Sequence, residues 1–270
     1  MKHNTVTHNA VLLRDDADGI AVLTLNRPEA RNSLSEALLT ALAGELDAIA
    51  ADASVRAVVI AANGPAFSAG HDLKEFSARR ADTDGGRVFF KHIMATCTSV
   101  MKQIVRLPQP VIAAVHGPAS AAGCQLVASC DLAIASELAR FATPGVDIGL
   151  FCSTPMVALS RNVAPKHAMD MLLTGEMISA AEALRIGLVN QVVEPGAERA
   201  AALALARKIA AKSAHVVKIG KEAFYRQLEM DLTRAYEYTA QVMVENMMAD
   251  DAQEGICAFV EKRAPTWQDR

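Results

Sequence analysis

Between Pro110 and Ser136 the chain reads PVIAAVHGPASAAGCQLVASCDLAIAS. An apolar run breaks into small residues, resumes at helical spacing and ends in a second apolar run. That order predicts strand, tight turn, helix and strand in succession. The same alternation recurs upstream. Ile20 to Leu25 reads as a strand, and Ser33-Leu34-Ser35-Glu36 matches a capping box ahead of Leu38, Leu39, Leu42, Leu46 and Ile49, whose spacing is helical. Strand-like Ala57 to Ala61, a helix around Val88 to Val105, a strand from Val111 to Val115 and a helix from Ala121 to Ala128 continue it. A chain that alternates in this way is expected to form an α/β layered core.

The turn in the opening segment has no bulky side chain from Ala119 to Gly123, so a ligand can approach bare backbone where the first amides of the following helix are unpaired and partly positive. A second small-residue turn, Asn63-Gly64-Pro65-Ala66-Phe67-Ser68-Ala69-Gly70-His71-Asp72, follows the apolar run Val55 to Ala62. Two such turns can each aim one amide at the same carbonyl oxygen.

With 270 residues and 51% hydrophobic content, the chain can bury a sizeable core. A formal charge of -3 and only 4% aromatic residues argue against nucleic acid as a partner. Five cysteines, Cys97, Cys124, Cys130, Cys152 and Cys257, are odd in number and lack close paired spacing, which predicts reduced thiols and no zinc site. No apolar run approaches the length of a membrane span, so no membrane partner is expected. The first residues, Met1 to His8, carry no recognisable targeting signal, and the expectation is a cytoplasmic protein.

Together with Leu25-Asn26-Arg27-Pro28-Glu29-Ala30-Arg31-Asn32-Ser33-Leu34, the two turns resemble the crotonase superfamily, the enoyl-CoA hydratase/isomerase group. The likeness runs from about Ile20 to the end, through Leu173-Thr174-Gly175-Glu176-Met177-Ile178-Ser179-Ala180-Ala181-Glu182-Ala183, Gly187-Leu188-Val189 and Glu254-Gly255-Ile256-Cys257-Ala258-Phe259-Val260-Glu261-Lys262-Arg263. The stretch Phe141 to Pro155 is most similar to the enoyl-CoA hydratase domain-containing protein 3 branch. The resemblance implies a crotonase-like spiral of ββα repeats over residues 1–196 and a helical C-terminal region, 197–270, that serves trimerisation and closes the site. It also implies an acyl-CoA thioester as partner, no cofactor beyond the CoA moiety of that substrate, and a homotrimer or dimer of trimers. Met243, Met247 and Met248 are then interface or core filler.

By the same resemblance, the oxyanion amides fall on His71 and Ala122, where they would stabilise an enolate-like intermediate. The His71 side chain reads as a surface-facing loop histidine, with reach to the acyl group or pantetheine as the alternative. Family hydratases hold and deprotonate water with two glutamates, and here those positions are Gln125 and Gly145. An amide can position water but cannot take its proton, and glycine offers nothing, which argues against ordinary two-glutamate hydration. Asp147 would share a face with residue 145 if the segment were extended and is the candidate substitute carboxylate; capping a turn or facing solvent are its other readings. Cys152 and Ser153 are weaker nucleophile candidates. The resemblance places Arg27, Ala30, Arg31, Ala69, Asp72, Leu73, Lys74 and Lys262 around the CoA nucleotide and its phosphates.

Two functions stay open: an acyl-CoA enzyme of lyase or isomerase type with a nonstandard base, and a non-catalytic acyl-CoA-binding or regulatory protein on the same fold. A hydrolase reading on Ser120 lacks the G-x-S-x-G elbow, since Pro118 and Ala122 stand at the flanking positions. A dinucleotide-binding reading fails because no G-x-G-x-x-G occurs.

Overall fold

The computed structural model describes residues 10–270. The expectation about a leader in Met1 to His8 lies outside the described residues.

In chain order the elements are β1 (Leu12–Ala17), β2 (Ile20–Leu25), α1 (Glu36–Ala50), β3 (Ala57–Ala62), α2 (Leu73–Arg79), α3 (Arg87–Arg106), β4 (Val111–Val115), β5 (Ala119–Ser120) and α4 (Ala122–Ser129). There follow β6 (Leu132–Ser136), β7 (Arg140–Ala142), a 3-10 helix (Pro144–Ile148), α5 (Pro155–Asn162), α6 (Pro165–Thr174), β8 (Ile178–Ser179), α7 (Ala180–Arg185) and β9 (Gln191–Val193). The chain closes with α8 (Glu198–Ala210), α9 (Ala214–Gln227), α10 (Leu232–Met247) and α11 (Asp250–Glu261).

Six strands form one sheet in the order β1-β2-β3-β4-β6-β9, antiparallel at β1/β2 and parallel elsewhere. A second sheet orders β5-β7-β8, and single bridges at Leu34↔His71 and Ser68↔Ala119 show the same pairing starting earlier in the chain. Each turn of the fold therefore gives one strand to the long sheet, one short strand or bridge beside it, and then helix. This is the expected α/β spiral of ββα repeats.

Strand alternation decides the two faces of the long sheet. Ile20, Val22, Ala57, Val59, Ala61, Ile112, Ala114 and Ile134 pack on Ala202 and Ala206 of α8. Leu23, Leu25, Val58, Ile60, Val111, Ala113 and Val115 face the larger core with Leu38, Leu42, Leu46, Ile93, Val100 and Ile104 of α1 and α3. The helical stretch after residue 197 thus begins inside the core, because α8 covers the second face of the sheet. By contrast α10 buries no residue within the chain.

Ser35, not Ser33, caps α1, its hydroxyl accepting from the Leu38 amide at 3.2 Å. Ser33 is drawn away because its own hydroxyl donates to Asp72 Oδ2 at 3.1 Å.

Candidate active site

The two small-residue turns meet. Gly70 adopts φ +89, and a Cβ placed there would stand 2.9 Å from Ser120 O, 2.9 Å from Ala121 Cβ and 3.2 Å from Ala122 N. Gly123 is equally closed in, against Ser68. Only glycine lets the two backbones approach this closely. Ser68 lies between them, its amide donating to Pro118 O and its carbonyl accepting from Ser120.

Asn32, fully buried, staples the first turn from behind. Its Nδ2 donates to Asn63 O at 2.7 Å and Ala66 O at 2.8 Å, its Oδ1 accepts from the Arg27 amide at 2.8 Å, and its carbonyl accepts from Ser68 Oγ at 2.8 Å. Sequence reasoning missed this residue. Its signal was present in the asparagine-rich segment, but a carboxamide's reach across the loop shows only in three dimensions.

His71 and Ala122 follow directly on these contacts. Ala122 is the first residue of α4, where the amide has no intrahelical acceptor. The backbone hydrogen bonds among the described residues give neither amide an acceptor in the protein. Ala121, just before, sits at φ 50 and ψ -117, a conformation L-residues rarely adopt. Two unpaired donors on touching turns can polarise a carbonyl oxygen.

The His71 side chain is not surface-facing. Both ring nitrogens are buried without a hydrogen-bond partner, and the ring stacks on Phe76 at 5.4 Å between centroids, at the edge of a cluster with Phe89 and Phe90. Burial pushes the imidazole below its ordinary value; the Leu34 backbone opposes the shift without completing a hydrogen bond. Phe90 also lines a shallow, largely open surface depression with Asp84, Gly85, Arg87, Lys91 and Met94.

Gln125 lies in the first turns of α4, 5% exposed, its Oε1 buried and unpartnered. Gly145 is also buried, and the place of its missing side chain is taken: a Cβ would meet Leu150 O at 2.9 Å, Cys152 Sγ at 3.0 Å and Cys152 N at 3.2 Å. Asp147 does not share the face of residue 145. The segment is a 3-10 helix, so residues two apart diverge, and the Asp147 carboxylate lies over Gly175 at the end of α6 instead. Burial raises the Cys152 thiol, which suits filler better than nucleophile, and Ser153 Oγ donates to Phe151 O at 3.3 Å.

Arg27 is committed inward. It donates to Asp72 Oδ2 at 3.0 Å and to Ser33 O at 2.7 Å, which leaves it an organiser of the loop. Burial alone would raise the Asp72 carboxyl, but Arg27, the Ser33 hydroxyl and the Lys74 amide together hold it below the ordinary 3.8. Asp72 also caps α2 through that amide. Arg31, Ala69, Leu73 and Lys74 are exposed around this pair, with Ala30 half-buried and the Ala69 amide on Arg31 O. Lys262 ends α11 in a left-handed conformation, exposed, on a helix that packs against α10. All five cysteines are free, and four are buried. No helix among the described residues is long and apolar enough to cross a membrane.

The sequence model of enoyl-CoA hydratase/isomerase matches residues 15–270. The chain is 49% identical to human "Enoyl-CoA hydratase domain-containing protein 3, mitochondrial" over 250 residues, 93% of this chain and 81% of the other. The crystal structure of an enoyl-CoA hydratase from Mycobacterium smegmatis superposes with a TM-score of 0.91 at 53% identity, covering 96% of this chain and 99% of that one. That of human enoyl Coenzyme A hydratase domain-containing protein 3 gives 0.90 at 47%, covering 95% and 100%. The human, rat and mouse relatives all carry "mitochondrial" in their names, which overturns the cytoplasmic expectation. Absence of a recognisable signal in eight residues was too slight a basis for it. Matched along nearly its whole length and built on the same spiral, the chain belongs to the enoyl-CoA hydratase/isomerase family.

Proposed function

We propose that the chain binds acyl-CoA thioesters with the carbonyl oxygen between the amides of His71 and Ala122, and acts on the activated acyl group as a lyase or isomerase without the paired-glutamate water chemistry. The observation that carries this is the approach of the two turns at Gly70, where a side chain's first carbon would stand 3.2 Å from Ala122 N, so that two amides without a protein acceptor lie on adjoining turns. One such donor is typically worth about 2.7–4 kcal/mol to a developing oxyanion. CoA phosphates would meet exposed Arg31 and Lys74 at the loop edge. Calorimetry with butanoyl-CoA and crotonyl-CoA tests binding, and absence of heat with both rejects the proposal.

A specific observation supports the second reading, a non-catalytic acyl-CoA-binding protein. Gly145 has no side chain and Asp147 lies over Gly175, so neither supplies a base in the place expected of the second glutamate. Sustained product formation from a panel of enoyl- and hydroxyacyl-CoAs favours the enzyme; tight binding without turnover favours the binder.

The proposed assembly is a homotrimer or a dimer of trimers. Leu232, Tyr236, Met243, Val244 and Met247 of α10 and Ile256, Phe259 and Val260 of α11 are exposed, an apolar area suited to burial between copies. Light scattering on the eluted protein should give three or six times 28.7 kDa.

A further inference from the structure

The two turns are joined by main-chain hydrogen bonds at Ser68 and, among the described residues, by the hydrogen bond of one side chain. His116 follows the end of β4, just before the second turn, and its Nε2 lies 2.8 Å from Gly64 O in the first. A carbonyl oxygen only accepts, so Nε2 carries the hydrogen and donates it.

The carbonyls of the first turn are shared between two side chains. Asn32 takes those of Asn63 and Ala66 and so holds the turn's own shape. His116 takes that of Gly64 and so holds the turn against the strand that leads into the second. Glycine makes room for this grip on both sides. A Cβ on Gly64 would stand 2.9 Å from Pro28 Cα, and one on Gly117 would stand 3.1 Å from Pro65 O and 3.4 Å from Ala66 Cα. From there the chain has little slack before His71. The Ser68 amide donates to Pro118 O at 3.2 Å, the Ala69 amide to Arg31 O at 3.0 Å, and Gly70 O accepts from the Leu34 amide at 2.7 Å. Displacement of Gly64 from the end of β4 therefore reaches the His71 amide and alters its spacing from Ala122.

We propose that His116 is a positioning residue for the oxyanion site: by fixing Gly64 to the end of β4, its Nε2–H sets where the His71 amide stands relative to that of Ala122. This rests on thioester binding at those two amides. The His116 bond lies at the surface, where water can replace a lost donor on Gly64 O, so its removal costs the fold little. What its removal changes is the aim of an amide, and hydrogen bonds weaken steeply once they are out of line.

The test is infrared spectroscopy of butanoyl-CoA, isotope-labelled at the thioester carbonyl and bound to the full chain. Two donors on that oxygen polarise it and lower its stretching frequency below the value in water. His116→Phe and His116→Leu remove the donor, whereas His116→Gln returns an N–H near the place of Nε2. The expected result is a downshift in the unmodified chain that His116→Gln keeps and that His116→Phe and His116→Leu cut by half or more. Melting temperatures of the three variants should stay within about 4 °C of the unmodified chain. A full downshift in either donorless variant overturns the proposal. So does its loss in all three, which would make the ring and not the donor responsible, and so does failure of both donorless variants to fold. Butanoyl-CoA bound to the unmodified chain without a shift, or not bound at all, rejects the two-amide reading itself and the proposal with it.

Discussion

Ala121 holds a backbone conformation that glycine tolerates far better, at φ 50 and ψ -117. Strain of this kind costs about 1–3 kcal/mol, against about 0.5–1 kcal/mol for the extra freedom glycine brings to the unfolded chain. Ala121→Gly should therefore stabilise the fold by about 1 kcal/mol, read as a higher denaturant midpoint at unchanged slope. Gly145 poses the opposite problem. Restoring both glutamates, as Gln125→Glu with Gly145→Glu, should not yield a hydratase, because the first carbon of the new side chain meets Leu150 O and the backbone and sulfur of Cys152. The expected outcome is a loss of about 1–3 kcal/mol and no gain in crotonyl-CoA hydration over Gln125→Glu alone. The vacancy at 145 was legible in the sequence. That Cys152 fills it was not, because the contact between residues seven apart depends on the turn made by the 3-10 helix.

Among the elements, α9 is fastened to the core by one buried cluster. Lys221 Nζ donates to Asp131 Oδ2 at 2.6 Å and to the carbonyls of Ile104 and Gln109 at 3.0 Å, while Tyr225 donates to Asp131 Oδ1 at 2.9 Å. The Val111 amide shares Oδ2 at 2.6 Å, so strand β4 and helix α9 meet on one carboxylate, and Lys221 ties the end of α3 to the same point. Burial draws the Lys221 ammonium below its usual range, partly countered by Asp131. Lys221→Met leaves Asp131 buried and unpaired and should cost about 3–5 kcal/mol; Lys221→Met with Asp131→Asn should cost measurably less. Denaturant melts of the two variants decide it. None of this cluster was read from the sequence, where Asp131 and Lys221 are ordinary charges far apart. Apolar periodicity did locate β2, β4, α1 and α3 to within a residue or two, since it reports burial directly. Cap choice was less visible: Ser33 and Ser35 compete for one role, and the distant Asp72 decides between them.

For the molecule as a whole, strand and helix alternation was enough to indicate a layered α/β core, whereas the spiral came from family likeness. Alternation does not encode which strands pair across the second sheet. The chain end closes the molecule. Asp251 accepts from the Gln268 and Asp269 amides, Arg56 holds Asp269 at 2.6 Å, and Trp267 lies on Gly255. Removal of residues 266–270 should cost about 1–3 kcal/mol and speed amide exchange in α11. Acid should loosen the same strap. Arg263 and the Thr266 amide pull Glu254 to about 2 from an ordinary 4.5, and Arg56 lowers Asp269. Folded values below unfolded ones give stability that is whole above pH 4.5 and drains away as pH falls toward about 2, so α11 protection should decline across that window. The closeness of Gly70 and Gly123 to the neighbouring turn has a further consequence. If main-chain amides do the polarising, their placement is guarded by residues that never touch the ligand. A saturation screen for thioester binding would then find its harshest losses at these two glycines, while positions 71 and 122, whose amides survive most replacements, would drift in selectivity first.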